Sequence, residues 1–377
     1  MDDKIKVLIT SVLKPVDDVR SCYKIGQSLA QTNKYEVNII GFDSKKKYQH
    51  ENIFLHPVFK FRRNSVKRLF APFSVLKKFL KLKPKLIIVN TPELLWVMYL
   101  IKILFGTRII YDIQENYRLN VKYSAVDNSI TKIISLLFLY FTEGASKYFV
   151  SGYFLAEDCY INQLNFFHKK PYIKLLNKSV QPIQEIDKPI IIAEGMPIKF
   201  IYSGTIGESY GTIEAVDFCK QLYKLNPKIT LIIVGYSSDY KYFKLLQKEC
   251  ENQSFIKLIA NDSPIPQTEV IDQIKNSDVA LLPYHLNYNI KGRFPTKIYD
   301  YLALGIPMII PPHTRWKAFL EKYNAGICVN YQHPNNTATI LKQLYATEYY
   351  RFRPKSEIQW KSQEATLEKF IDNVLSN

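Results

Sequence analysis

Short runs that are apolar throughout alternate along this chain with longer stretches whose apolar residues recur every three or four positions. In the first half, Lys6–Thr10, Tyr35–Ile40, Leu86–Val89, Arg108–Tyr111 and Tyr148–Val150 read as buried strands. Between them lie Val19–Gln31, Glu93–Leu104 and Thr131–Ser146, with helical spacing such as Val19, Cys22, Ile25 and Leu29. Strands apolar on both faces and separated by helices predict a parallel sheet covered on both sides.

The pattern breaks at Gln181–Pro189, which is polar and carries two prolines, and then restarts. Strands are expected at Lys199–Ser203, Thr230–Val234, Ile256–Ile259, Val279–Leu282 and Met308–Ile310. Helices are expected at Thr212–Leu225, Tyr240–Glu251, Pro266–Ile274 and 296–304, with a last helix at Ser362–Leu375. The prediction is an α/β chain of two Rossmann-like βαβ domains facing each other across a cleft. The first spans 1–182, a linker 183–197, the second 198–355, and a C-terminal helix within 356–377 crosses back to the first. In such sheets ligands sit outside the carboxyl ends of the strands, so the loops there are where chemistry is expected.

Charge adds a partner class. The net charge of +17 is uneven: residues 1–182 hold 29 basic and 14 acidic side chains, the remainder 22 and 20. The run Lys60–Lys85 has ten Lys and Arg, no acid, and interleaved Phe61, Leu69, Phe70, Phe73, Leu76, Phe79 and Leu80. It suits an anionic membrane surface, or else a core helix with a solvated basic face. Nucleic acid is not expected, because binding it needs aromatic platforms and these aromatics are spaced to be buried. Five scattered cysteines without a CxxC pair argue against a disulfide framework or structural zinc and fit a reducing cytoplasm. No signal peptide or membrane-spanning helix is expected.

The stretch RFPTKIYDYLALGIPMII (Arg293–Ile310) places Arg293 and Lys297 where a helix begins, with Asp300 one turn on. A helix N-terminus favours anions, so cations there run against helix electrostatics unless an anionic ligand joins them. Asp300 either accepts hydrogen bonds from a diol, as a ribose offers, or forms a solvated i,i+3 pair with Lys297. Ile201–Gly207 runs a strand into Gly204, Thr205 and Gly207, where backbone can approach a phosphate. Leu231–Tyr236 ends in Gly235 and Tyr236, a wall for a nucleobase. Pro264 follows the next strand at the same edge.

Taken together, these motifs resemble the nucleotide-sugar-binding domain of GT-B-fold glycosyltransferases, most closely family 4 (group 1). The family's Pro-x-Lys-x-x-Glu-Tyr-x-x-x-Gly-x-Pro appears as Pro295, Lys297, Asp300, Tyr301, Gly305 and Pro307. The resemblance implies that Asp300 holds the donor ribose and that Lys297 lies by the diphosphate. In the first half, Asp17–Arg20, Asn90–Leu95 and Tyr111–Tyr117 are similar to the family's Asp-x-Arg, His-Asp-Pro-Glu-Leu-Leu and Tyr-Asp-x-His-Glu motifs. The resemblance thereby assigns Asp17, Arg20, Asn90, Glu93 and Asp112 to the acceptor side, and Glu115, Gln114, Arg293 and Lys297 to catalysis. Arg20 is either a phosphate or acceptor-carboxylate contact or a salt-bridge partner of Asp17. Glu115 either orients a substrate or caps a turn or pairs with Arg118.

Several positions depart from the family. Its His is Gln114, its His-Asp is Asn90-Thr91, the earlier acid of its Glu-x7-Glu pair falls at Gly292, and Thr205 and Ser209-Tyr210 stand where many members have Arg and Lys. Glutamine exchanges no proton at neutral pH, so a His-mediated role there is excluded. The resemblance implies a retaining, metal-independent transfer from a UDP-, GDP- or dTDP-sugar to a glycan or polyprenyl-diphosphate-linked acceptor, in surface polysaccharide synthesis at the inner face of the plasma membrane. No cofactor is expected. The alternatives are a catalytically weak homologue acting as a nucleotide-sugar-binding or partner subunit, and an isomerase of UDP-GlcNAc.

Overall fold

A computed structural model describes residues 4–44, 49–61, 65–123, 129–261, 263, 265–288, 290–334 and 336–376. The chain forms two compact units, Met1–Val180 with Trp360–Asn377, and Gln181–Gln359.

In the first unit, β1 (Ile5–Pro15), β2 (Tyr35–Phe42), β3 (Ile53–Phe59), β4 (Leu86–Val89), β5 (Arg108–Ile113), β6 (Gly152–Leu155) and β7 (Tyr172–Lys174) form one sheet. Its order is β3-β2-β1-β4-β5-β6-β7 and every pairing is parallel. A π-helix, Val19–Gly26, runs into α1 (Gln27–Gln31); then come α2 (Ala71–Leu82), α3 (Leu95–Phe105), α4 (Tyr117–Lys122), α5 (Ser129–Phe149) and α6 (Tyr160–Gln163). Side chains of a strand alternate between faces, and here both faces are apolar. Leu8, Ile87, Ile109 and Tyr111 pack with Val75, Phe79 and Met98 on one side. Val7, Ile9, Ile88 and Ile110 pack with Cys22, Ile25 and Leu29 on the other.

In the second unit β9 (Ile198–Thr205), β10 (Ile229–Tyr236), β11 (Ile256–Asn261), β12 (Val279–Leu281), β13 (Met308–Ile310) and β14 (Gly326–Cys328) form a parallel sheet ordered β11-β10-β9-β12-β13-β14. A two-residue β8 (Ile190–Ile191) precedes it and pairs antiparallel with β15 (Glu348–Tyr349). The helices are α7 (Thr212–Leu225), α8 (Tyr240–Cys250), α9 (Gln267–Lys275), α10 (Thr296–Ala303), α11 (Thr314–Glu321) and α12 (Thr337–Ala346). The last helix, α13 (Glu364–Ser376), packs in the first unit, where Leu367, Phe370, Ile371 and Val374 join Val7, Ile9 and Phe154.

Three expectations change. Tyr148–Val150 is not a strand: α5 runs to Phe149, and the buried strand starts at Gly152. Residues 183–197 are not a bare linker, because β8 lies within them, Ile186 is buried, and the Gln184 amide donates to the Ala303 carbonyl at 2.7 Å. The aromatics of Lys60–Lys85 are not uniformly buried: Phe79 is, whereas Phe70 and Phe73 are exposed, as are the aliphatic Leu69 and Leu80. Part of that run, 62–64, lies outside the described residues.

The phenyl ring of Phe370 sits where a side chain on Gly152 would be, 2.6 Å from the Cβ that an alanine would place there, and it stacks tilted on Phe154 at 5.6 Å. Replacing Phe370 with Ala should therefore remove about 3–5 kcal/mol of stability, read as a shift in the urea midpoint. A loss below about 1 kcal/mol would show that α13 is not part of this core.

Candidate functional site

The carboxyl ends of β9 and β10 meet at two glycines. Gly204 and Gly235 are register partners, and a Cβ on Gly235 would lie 1.8 Å from the Gly204 carbonyl oxygen. Gly204 has φ +104°, a conformation open to glycine and costly for other residues. Into the space above it comes Lys297 from the first turn of α10: its Cε and Nζ lie 2.5 Å from where a Gly204 Cβ would be. The same ammonium faces the rings of Tyr202 at 5.0 Å and Tyr284 at 5.6 Å. No carboxylate among the described residues pairs with it. Burial alone therefore lowers the Lys297 pKa to about 7. Ring faces offset some of the lost hydration, but an anion would offset far more.

Helix α10 begins on Pro295 without a side-chain cap and with no acid in its first turn. Its opening N–H groups and Lys297 thus share one end, and Asp300, half-buried, follows one turn later. Arg293 is half-buried in the loop before the helix, where its carbonyl accepts from Trp316 Nε1 at 2.8 Å. Thr205 and Tyr236, half-buried register partners, end β9 and β10. Pro264 lies outside the described residues. One pair escaped the sequence reading. His285 Nε2 meets Glu214 Oε1 at 2.5 Å, while the His285 amide and Asn287 Nδ2 hold Ser209 at 3.1 Å each. These contacts fix the loop after β9, and no spacing between residues 71 positions apart announces them.

In the first unit the structure redistributes the expected roles. Arg20 is buried and paired with Asp112, Nη2 to Oδ1 at 2.6 Å and Nε to Oδ2 at 2.9 Å, rather than with Asp17. Its Nη1 donates to the Leu175 carbonyl at 2.7 Å and to Asn177 Oδ1 at 2.9 Å. Arg20 and Asp112 therefore tie loops together, and neither has the access an acceptor contact needs. Asp17 accepts from the Ser44 hydroxyl, while Asp18 caps the π-helix. Gln114 donates to Asp112 Oδ2 at 2.8 Å. Glu115, half-buried, accepts from Asn120 Nδ2 at 2.5 Å; Arg118 pairs with Glu143 at 2.7 Å instead.

Beside these lies a polar floor left incomplete. Asn90 donates to Ser21 Oγ at 3.3 Å, yet its Oδ1 and the hydroxyl of Thr10 are buried without a partner. Glu93 pairs with Arg68 through one oxygen and buries the other unpartnered. Unmatched buried polar atoms are costly, and ligand hydroxyls would match them. Among the described residues no group of His, Cys, Asp and Glu is arranged to hold a metal ion.

The family model described as glycosyl transferases group 1 matches residues 183–359, the stretch that carries Lys297 and Asp300. The match covers this second unit and makes it similar to group 1 glycosyl transferases. Comparison with curated proteins gives no match. Solved structures share the fold of the whole chain. Sucrose-phosphate synthase from Thermosynechococcus elongatus has 13% identity and a TM-score of 0.69, with 99% of this chain and 100% of that one covered. HepE from Anabaena, in complex with UDP-glucose, has 13% identity and a TM-score of 0.64, covering 98% and 100%. An α,α-trehalose-phosphate synthase (UDP-forming) from Burkholderia vietnamiensis has 11% and 0.62, covering 99% and 98%. At these identities the likeness shows the fold, two Rossmann-like domains of the GT-B class.

The second unit bears a cost for its lysine. With the folded pKa near 7 and the ordinary lysine value at 10.5, the unfolded chain binds the extra proton between those values, so stability rises with pH across that window. Below pH 7 the cost is complete. Lys297→Met should raise the melting temperature at pH 6 by about 3 °C or more, and the gain should shrink toward pH 10. Equal gains at both pH values would show that the ammonium is not desolvated.

Proposed function

We propose that the chain transfers a sugar from a nucleoside-diphosphate donor to a glycan or lipid-linked acceptor, as a family 4 enzyme of the retaining, metal-independent kind. The observation that carries this is the unpaired Lys297 ammonium over Gly204, beside the uncapped start of α10. Departure of a nucleoside diphosphate from the anomeric carbon leaves negative charge on its terminal phosphate. Lys297, Arg293 and the first N–H groups of α10 stabilise it, being oriented before the reaction begins. Asp300 accepts from the ribose hydroxyls, Tyr236 walls the base, and Gly204 and Gly235 let backbone approach the phosphates. UDP-glucose in the HepE structure supports a uridine donor.

The acceptor hydroxyl bonds to the anomeric carbon as the bond to phosphate breaks, and its proton passes to the departing phosphate oxygen. Thr10, Asn90 and Glu93 hold acceptor hydroxyls, and Glu115 orients the reacting pair. Gln114, fixed on Asp112, acts through position and takes no proton. The basic segment Lys60–Lys85 favours an anionic surface, where polyprenyl-diphosphate acceptors reside, and a peripheral cytoplasmic location follows from that. A weak homologue that binds donor without turnover is the second reading, favoured by Gln114 being held by Asp112 and by the missing acid at Gly292.

Assays with UDP-, GDP- and dTDP-sugars separate the two: turnover with one donor supports transfer, and binding without hydrolysis or transfer on any acceptor supports the second. Asp300→Ala should weaken nucleotide affinity by about 1–3 kcal/mol in calorimetry, and unchanged affinity removes Asp300 from the site. The anion also restores the charge on Lys297. Binding should take up a proton above pH 7, and affinity should fall as pH rises from there; a flat profile from pH 6 to 9 would separate Lys297 from the diphosphate.

A further inference from the structure

Helix α5 is inside out. Its buried residues are Leu139, Thr142, Glu143 and Ser146, three of the four polar. Its exposed ones include Ile130, Ile133, Ile134, Leu137, Phe138 and Phe141, with Phe141 75% and Ile130 69% exposed. Those positions follow i, i+3, i+4, i+7, i+8, i+11, the stripe by which a helix ordinarily meets a core. The inner face is instead satisfied by polar contacts: Glu143 with Arg118 at 2.7 Å and with the Tyr111 hydroxyl at 3.2 Å, and Ser146 with the Tyr153 hydroxyl at 2.7 Å. Helix α3, stacked beside α5 through Tyr99 and Phe149 at 4.6 Å, ends in exposed Leu100, Ile103, Leu104 and Phe105. Apolar surface of this extent marks a place of docking.

Charge identifies the occupant. Beside the stripe lies a depression of about 270 Å³ lined by Arg118, Lys147, Lys169, Tyr140, Phe166 and Asn165, with no acid in its wall. Arg118 lies over the rings of Tyr140 at 4.2 Å and Phe166 at 5.0 Å, which hold it at the rim. Lys132 lies in the first turn of α5, and Lys122 ends α4. A second copy would bring one basic surface against another, since the first 182 residues carry 29 basic against 14 acidic side chains. No helix among the described residues is long and apolar enough to cross a membrane, so an apolar helix here lies on a surface.

We propose that the outer face of α5 inserts into the interface of an anionic bilayer and that the Arg118–Lys147–Lys169 depression receives a lipid phosphate. This adds a second apolar surface to the exposed Leu69, Phe70, Phe73 and Leu80 of the basic segment Lys60–Lys85. It does not depend on glycosyl transfer, because its measurement is lipid binding.

The test is co-sedimentation of the full chain with vesicles of phosphatidylcholine alone or enriched in phosphatidylglycerol, at low and high salt. The parent protein should partition to the anionic vesicles and keep a residual, salt-resistant fraction. Ile134→Glu with Phe141→Glu should lose about tenfold or more of that partitioning, while its melting temperature and nucleotide affinity stay unchanged, since both side chains are exposed. Lys147→Glu should weaken the preference for anionic over neutral vesicles. Unchanged partitioning in the double variant overturns the proposal, as does a dimer in sedimentation velocity that the same variant dissolves.

Discussion

An ammonium ion held over bare backbone, without a carboxylate, governs what the second unit can do. Lys297 occupies the volume that any side chain on Gly204 would need, and Gly235 has no side chain because the Gly204 carbonyl fills its place. Both glycines therefore follow from one demand: charge must come close to the ends of β9 and β10. The ordinary solution, a partnering acid, is absent among the described residues. On the proposed reading, an anionic donor brings the missing half. Specificity for an anion is thereby written as a deficit in the folded state.

The first unit treats its charges in the opposite way. Arg20 and Asp112 satisfy each other and reach across to Leu175 and Asn177, so the loops after β1, β5 and β7 are tied at one knot. A buried pair of this kind is costly to break and of modest net worth; its use is to fix position. What remains unsatisfied there includes the Thr10 hydroxyl and the Asn90 carbonyl oxygen, at the ends of β1 and β4, and also Glu93 Oε2 and Arg68 Nε. On the proposed reading, the Thr10 and Asn90 atoms suit acceptor hydroxyls and the Lys297 ammonium suits phosphate.

Much of this was legible in the sequence because parallel strands buried on both faces announce themselves as unbroken apolar runs. Leu86–Val89, Thr212–Leu225 and Met308–Ile310 were read to the residue. Edge strands were not: β3 and β7 are half-exposed and lack such runs. Tyr148–Val150 misled because its β-propensity lost to continuation of α5. At the site, Lys297 and Asp300 were legible from their place at a helix start, since local electrostatics is a local property. The Arg20–Asp17 pair was the wrong pairing because the actual partner lies 92 positions away, and the same distance problem hid His285 and Glu214. Charge identity shows in a sequence; charge pairing across a fold does not.

Helix α5 shows the remaining gap most plainly. Periodicity fixes that apolar residues share a face, but not which face meets the protein. Leu139, Thr142, Glu143 and Ser146 are spaced as regularly as the apolar stripe, and the polar set won the interior because Arg118, Tyr111 and Tyr153 were there to satisfy it. Glu143 feels that choice: burial raises its pKa to about 7, with Arg118 opposing. A carboxyl kept inside at that cost leaves six large apolar side chains outside. Exposed in water those side chains cost free energy, and the proposed insertion of this face into a bilayer interface would remove that cost.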